Sequence, residues 1–497
     1  MATFKPFDGP LETLESQQGD DFHVTSITSF SEIREDDTKV LAIFKGLKVA
    51  LKGSQAVNIV QQDQFDLVYS FTKAFTRLSP AVQQKFTKFI AECIGNIGLQ
   101  LQGASSDSAR LSEEYRDAVS MYVFFLSHIV RRGQDAANKA EQKKKTMDKH
   151  KSKQSKKGKA KTNSSPNKWK ETCVLAMNSM STTSEFNFGK LWPLGVPEEA
   201  FVDMFWKTGV YLLENCASAQ KAGDLQDATI RLIGGAANKF PSIRPAIVAG
   251  LVQLMSNERT DNGSSKLPEP VGKLVLFMKK ECNDKGLVAD LLKEIGEMNL
   301  HEGAQDQKSL GQCCRNMGGF LICLSNDVPG LLLANLSYIL PQMDRAAYPM
   351  RSGICEALGN LVMKLHQGVF TPPTEAPPAP AGEEQEAMVK DKASGRHSRD
   401  TLIQLLLERS RDKTSFSRSS VMKTWRAMVE AQAVPVDMYI PLARICTRHI
   451  MDNSSLVRKV ALQLFSVMVR KNPFSPVLHP DFFDEQLSCL LEKLREK

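Results

Sequence analysis

The stretch from Asp452 to Pro473 constrains the fold of this 497-residue chain more than any other. Its apolar residues fall at Leu456, Val457, Val460, Ala461, Leu464, Phe465 and Met468, recurring every three to four positions, which is the period of a helix and not of a strand. The stripe is two residues wide and therefore has surface for two neighbours. Asp452, Asn453 and Ser454 can each cap the open amides of a first turn, and Pro473 stops the chain from continuing as helix. The arrangement returns upstream. Tyr348, Pro349, Met350 and Arg351 precede Ile354, Ala357, Leu358, Leu361 and Val362, and Phe416, Ser417 and Arg418 precede Val421, Met422, Trp425 and Met428. Arg418 and Arg458 are 40 residues apart, while 67 residues and a proline-rich insert separate Arg351 from Arg418.

A broad helical stripe repeated at roughly 40 residues is what the second helix of a HEAT-type hairpin needs, with one flank on its partner helix and the other on the next hairpin. The expected fold class is all-α: a HEAT-repeat α-solenoid of stacked antiparallel helix pairs, with a basic disordered insertion and a Pro-rich loop. Six regions follow. Residues 1–35 are weakly periodic and expected to be weakly ordered, and 36–136 form an amino-terminal helical region. Residues 137–167 are a lysine-rich flexible insertion and 168–367 are HEAT-like repeats. A Pro and charged loop occupies 368–399, and repeats resume over 400–497. Helices are predicted at Phe65–Leu78, Pro80–Leu101, Leu111–Val130 and Pro197–Ala217, and, farther along, at Leu310–Leu324 and Val328–Leu340. The last residues, Phe482–Lys497, read as a helix with no polar capping repeat after it, so the chain is expected to be incomplete.

No apolar run approaches the roughly 20 residues of a bilayer span, and the opening Met-Ala-Thr-Phe-Lys-Pro has no signal-peptide core, so a soluble, intracellular protein is expected. Of the ten cysteines, Cys93, Cys173, Cys216, Cys323, Cys355 and Cys446 lie in apolar stripes and no Cys-x-x-Cys pair occurs, which favours reduced core thiols over disulfides or zinc. The net charge of +8 is local. Residues 139–161 hold eleven lysines against Glu141 and Asp148, a segment charge of +9, which leaves the remainder near −1.

An enzyme finds no support in these residues. There is no Gly-x-x-x-x-Gly-Lys-Ser/Thr loop, no His-Glu-x-x-His and no nucleophile with a base and orienter, and His128 sits in an apolar helix as a core or flank residue. No cofactor is expected. Lys143, Lys144, Lys145, Lys149, Lys151, Lys153, Lys156, Lys157, Lys159 and Lys161 are candidates for neutralising DNA phosphates with a salt-sensitive, sequence-independent affinity. The same run also fits a nuclear import signal or a merely solvated loop. Lysine supplies charge without bidentate base readout, and no aromatic for stacking appears before Trp169. Ser165, followed by Pro166, Asn167 and Lys168, fits a proline-directed phosphorylation site. Arg351, Arg418 and Arg458 are expected to be repeat-structural, pairing with a neighbouring repeat's carboxylate or capping carbonyls.

The block from Asp344 to Pro476 resembles condensin complex subunit 1, the HEAT subunit of the CAP-D type. The likeness is carried by Tyr348-Pro349-Met350-Arg351, by Ser415-Phe416-Ser417-Arg418-Ser419-Ser420-Val421 and by Asp452 through Asn472-Pro473-Phe474-Ser475. Lys-Gly-Lys-Ala-Lys at 157–161, followed by Trp169, adds to it. The resemblance implies the amino-terminal portion of a non-catalytic subunit that works in mitotic chromosome condensation. The implied partners are the condensin kleisin, the SMC ATPase subunits, and DNA or chromatin with its histones. It further implies a hetro-oligomer with no membrane partner, found in the nucleus and on mitotic chromosomes with a cytoplasmic pool. The alternative that shares the same repeat physics is a HEAT or armadillo-type adaptor in nuclear transport or phosphatase scaffolding.

Overall fold

The computed structural model describes residues 4, 10–16, 24, 37–103, 109–151, 166–192, 195–217, 219–221, 223–257, 267–301, 307–369 and 398–471. Among these the chain is all-α. The only β pairing is an isolated bridge between His301 and Ala346. The helices form a HEAT-repeat solenoid of stacked pairs. Two compact units result, one of Met1–Leu251 with Phe277–Asp284, the other of Val252–Leu276 with Lys285–Lys497.

In the first unit, helices Pro80–Gly103, Pro166–Ser184 and Asp224–Lys239 pack in succession, and Ala109–Lys151 and Glu199–Asn215 pack beside them. The long helix Ala109–Lys151 is the centre of this unit. Every residue from Met121 to Val130 is buried, so the helix is apolar on all sides where it is covered on all sides. Among its buried polar groups, Tyr122 OH donates to the Ala56 carbonyl at 2.8 Å, and the Ser127 and Thr208 hydroxyls lie 2.8 Å apart. The helix Pro166–Ser184 is keyed to it at Gly133. A Cβ there would fall 2.0 Å from the Trp169 ring, so only glycine admits the indole.

Of the start expected to be weakly ordered, residues 4, 10–16 and 24 are described and the rest lie outside the described residues. Phe4, Leu11, Leu14 and Val24 are buried, and the Phe4 ring meets Phe65 and Phe124 at centroid distances of 5.8 and 5.5 Å. These are single anchors without a period, which is why a periodicity reading passes over them.

In the second unit the helices Gln307–Asp327, Tyr348–His366, Ser415–Glu430 and Ser455–Arg470 pack each on the next, and Tyr439–Ile450 pairs with Ser455–Arg470 across a short turn. Trp425 is fully buried and Phe465 nearly so, as core residues of this stack. The predicted helix Val328–Leu340 is instead broken into Pro329–Ala334, a 3-10 turn at Leu336–Tyr338 and Gln342–Arg345. The Gln342 side-chain amide donates to the carbonyls of Gly296 and Met298 at 2.8 and 3.0 Å, capping the end of helix Gly286–Glu297. The predicted helix Phe482–Lys497, the stop at Pro473 and most of the Pro-rich loop lie outside the described residues.

Helices Gln307–Asp327 and Tyr348–His366 touch backbone to backbone, since a Cβ on Gly353 would fall 2.4 Å from the Gly318 Cα. Gly353→Val should therefore destabilise the protein by roughly 1–3 kcal/mol, because a backbone neighbour has little room to yield. Gly46→Ala, in helix Asp37–Ala50 with nothing within 4 Å of the new methyl, should stabilise it by about 0.4–1 kcal/mol. Thermal unfolding followed by circular dichroism measures both, and a Gly353→Val protein as stable as the parent would contradict the contact.

Candidate nucleic-acid interface

Expected to become flexible near residue 137, the chain instead stays helical to Lys151. The run Ala136, Ala137, Asn138, Lys139, Ala140, Glu141, Gln142 and Lys143 has lost its apolar period but, apart from Asn138, consists of strong helix formers. Lysines near a helix C-terminus are also favoured by the partial negative charge there. Lys139, Ala140, Glu141, Gln142, Lys143, Lys144 and Thr146 are all exposed, so the helix leaves the body of the unit at about Lys139 as a basic spoke. Of the candidate lysines, Lys143 and Lys144 are exposed on it, and Lys145, Lys149 and Lys151 fall on its backbone. Lys153, Lys156, Lys157, Lys159, Lys161 and the candidate phosphorylation site Ser165 lie outside the described residues.

A polar network fixes where the spoke emerges. Trp169 Nε1 donates to Gln134 Oε1 at 3.0 Å, Gln134 Nε2 donates to Asn138 Oδ1 at 2.8 Å, and Asn138 Nδ2 donates to the Asn215 carbonyl at 2.9 Å. Beside this base is an open cleft of about 490 Å³ whose polar lining includes Glu12, His128, Arg131, Arg132, Asp135 and Lys139. Its charges are largely satisfied within the fold. Arg132 pairs with Glu12, Tyr211 OH donates to Asp135, and the Arg131 guanidinium lies 5.8 Å from the centre of the Tyr211 ring. His128 is buried against Phe124 with ring centroids 4.4 Å apart.

The three arginines of the second unit sit in one repeated arrangement. Arg351, 2% exposed, places Nε and Nη2 on Asp412 Oδ2 and Oδ1 at 2.9 and 3.1 Å and gives Nη1 to the Ala346 carbonyl at 2.5 Å. Arg418 repeats this on Asp452 at 2.8 and 2.9 Å, with Nη1 on the Asp412 and Lys413 carbonyls. Arg458 gives Nη1 to the Asp452 and Asn453 carbonyls at 2.8 and 3.0 Å. Each carboxylate also accepts a backbone amide two residues on, Thr414 N for Asp412 and Ser454 N for Asp452, both at 2.9 Å. Asp412 and Asp452 are the members that a reading of the arginines alone misses. A signal was present: Asp-Lys-Thr-Ser at 412–415 and Asp-Asn-Ser-Ser at 452–455 stand at the same 40-residue spacing as Arg418 and Arg458.

Reactive chemistry finds little footing among the described residues. Burial pushes the thiols of Cys93, Cys314, Cys355 and Cys446 each up to about 12, leaving them protonated and inert at neutral pH. No cluster of three metal-ligating side chains occurs among them, and no described helix is long and apolar enough to cross a membrane.

Residues 80–243 match the family described as non-SMC mitotic condensation complex subunit 1, N-term. Along most of its length the chain is similar to curated condensin proteins. It is 23% identical to condensin-1 complex subunit CAP-D2 of Arabidopsis thaliana over 91% of this chain and 30% of that protein. It is 22% identical to condensin complex subunit 1 of Homo sapiens over 87% of this chain and 28% of that protein. For the same subunit of Saccharomyces cerevisiae the figures are 20%, 92% and 36%. The chain thus spans about three-tenths of the length of the curated relatives it matches. Among solved structures, the karyopherin Kap121p bound to the extreme C-terminus of the protein phosphatase Cdc14p is 11% identical, with a TM-score of 0.28 over 88% of this chain and 45% of that one. Importin beta is 11% identical, with a TM-score of 0.19 over 89% of this chain and 55% of that one. At these scores neither structure bears on function. The resemblance to condensin complex subunit 1, amino-terminal portion, holds.

Two outcomes follow from the arginine–aspartate pairs. Arg351→Ala strands the Asp412 carboxylate in a buried site and should cost about 3–5 kcal/mol, whereas replacing both partners with apolar residues should be close to neutral; urea unfolding of the two variants beside the parent tests this. Burial works to raise the Asp452 carboxyl, but the Arg418 fork, the Ser454 amide and His449 together hold it down, from an ordinary 3.8 to about 2. The stability this contributes, on the order of 1–2 kcal/mol, is complete above about pH 4 and lost as the pH falls towards 2. Asp452→Asn should remove that part of the acid sensitivity, read as a flatter dependence of the unfolding midpoint on pH between 4 and 2.

Proposed function

We propose that this chain, a relative of condensin complex subunit 1, is a non-catalytic HEAT-repeat scaffold of a condensin assembly that acts in mitotic chromosome condensation. It binds the kleisin and SMC ATPase partners through its extended helical surface and meets chromatin through the lysine-rich segment. Its place is the nucleus and the mitotic chromosome. The observation that carries the reading is the agreement between the family match at residues 80–243 and a likeness to condensin subunits that runs along most of the chain. A stack of helical hairpins favours such a role on physical grounds. Its ligand sites are long concave or ridged surfaces, not enclosed pockets, and binding needs no chemistry from the scaffold.

Lysines at this density favour contact with phosphates over recognition of sequence, because an ammonium supplies charge without the planar fork that reads base edges. The expected binding is therefore tolerant of sequence and steeply weakened by salt.

Co-purification with the condensin kleisin, with and without residues 139–161, followed by duplex-DNA binding across a salt series, tests the reading. Kleisin capture by both forms is expected, with DNA affinity and salt slope falling only in the deletion. Failure of either form to capture the kleisin, with capture of import cargo or a phosphatase subunit in its place, would move the chain to the adaptor class. An unchanged salt slope in the deletion would remove the lysine segment from the DNA-binding surface.

A further inference from the structure

We infer that the edge of the second unit at which helices Tyr348–His366, Ser415–Glu430 and Ser455–Arg470 begin is a docking ridge for an extended, acidic segment of a partner protein. That segment carries an apolar residue at every third position. The ridge is built by the second unit alone and does not involve the lysine segment.

The arginine forks set the turns of successive hairpins side by side. Arg351, in the first turn of Tyr348–His366, reaches Asp412 ahead of Ser415–Glu430, and Arg418 reaches Asp452 ahead of Ser455–Arg470. Residues 344–348, 411–416 and 451–459 therefore follow one another along one edge. Apolar side chains stand out on it. Phe416 is 54% exposed, Met451 41% and Leu456 37%, and the Phe416 ring stacks on Tyr348 with centroids 4.9 Å apart and planes at 22°. Phe416 and Leu456 are equivalent, each two residues before the arginine of its helix. One exposed apolar residue means little, but the same position left exposed in two adjoining hairpins marks a surface that meets something.

The charge around these side chains has one sign. The acidic residues within the three turns are Asp344, Asp412 and Asp452, and each is already held by an arginine, Arg409, Arg351 and Arg418 respectively. Arg345, Arg411, Lys413 and Lys459 are all exposed there. An apolar strip rimmed by cations suits a partner that intersperses apolar groups with carboxylates. Two features favour a polypeptide over a nucleic acid. Met451 and Leu456 are aliphatic and offer no ring on which a base stacks, and Tyr348 and Phe416 turn one face each towards the other.

Spacing selects the conformation of the occupant. Packed helices lie about 8–10 Å apart. A polyproline II chain, at three residues per turn and about 3.1 Å per residue, brings the same side round every 9 Å or so and stays in step with them. A β-strand returns a side chain to one face every two residues, about 6.6 Å, and falls out of step.

The test uses the full chain and a fluorescein-labelled peptide of four Leu-Pro-Glu repeats, read by fluorescence anisotropy. The control peptide has the same composition with its leucines grouped at one end, so it presents the same charge to the lysine segment. The ordered peptide should bind about tenfold more tightly than the grouped one. Phe416→Ser combined with Leu456→Ser should weaken the ordered peptide about tenfold, as should Arg411→Glu combined with Lys459→Glu, with thermal midpoints unchanged. Equal binding of the ordered and grouped peptides by the parent, or binding of neither, would overturn the ridge; that comparison involves no substitution and stands even if a variant fails to fold. Folded variants that bind the ordered peptide like the parent would overturn it too. If oligothymidine displaces the peptide from the parent and itself loses affinity in the serine variant, the edge is a nucleic-acid surface and the peptide reading falls.

Discussion

The second unit depends on one interaction, the two-pronged bond between an arginine at the start of one helix and an aspartate in the next turn. Apolar helices packed side by side gain much from burial but little from any particular axial register, because a stripe shifted by one turn still meets a stripe. A guanidinium fork on a carboxylate does discriminate, since two parallel bonds form only when both groups are in plane and in place. Arg351 with Asp412 and Arg418 with Asp452 supply that constraint. Burial makes the net contribution of such a pair to stability small when compared with an apolar substitute, so its value lies in setting the register.

The same carboxylates connect three scales. Each aspartate accepts the amide two residues ahead, which closes the turn and opens the second helix of its hairpin. The arginine that reaches it belongs to the preceding hairpin and also ties down carbonyls of its own turn. Turn, hairpin and stack are therefore closed by a single set of charges. The first unit solves its packing differently. Its centre is a helix packed with phenylalanines, with Phe125 against both Phe65 and Phe124, and its register is fixed by an indole keyed onto a glycine at Gly133.

Much of this was legible in the sequence, for physical reasons that also mark where legibility stops. Apolar period reports burial, so Val421, Met422, Trp425 and their counterparts announced the stacked helices. The period vanishes where burial ends, and a reading by period ended the long helix near Val130 although the helix continues to Lys151. Intrinsic propensity, which does not depend on burial, carried that signal through alanine, glutamate, glutamine and lysine. Asp452 looked like an ordinary cap because a single carboxylate in a polar turn has an adequate local role, and Asp412 drew no reading. Their long-range role is visible only in the matching spacing of two arginines. The break after Ala334 was not read from the apolar period, which runs on through Leu336, Ile339 and Leu340 although the helix ends at Ala334.

The spoke draws these threads together. A lysine run in a flexible loop explores a volume and meets DNA by charge alone, losing its freedom on contact. The same run on a helix has its backbone ordered in advance, so ordering costs less at the moment of binding and the direction of approach is restricted. What converts one into the other is a small set of uncharged contacts, the Trp169 ring on Gly133 and the amides of Gln134 and Asn138, none of which touches the lysines. The neutral base of the helix, through these contacts, fixes where the charged residues leave the body of the unit.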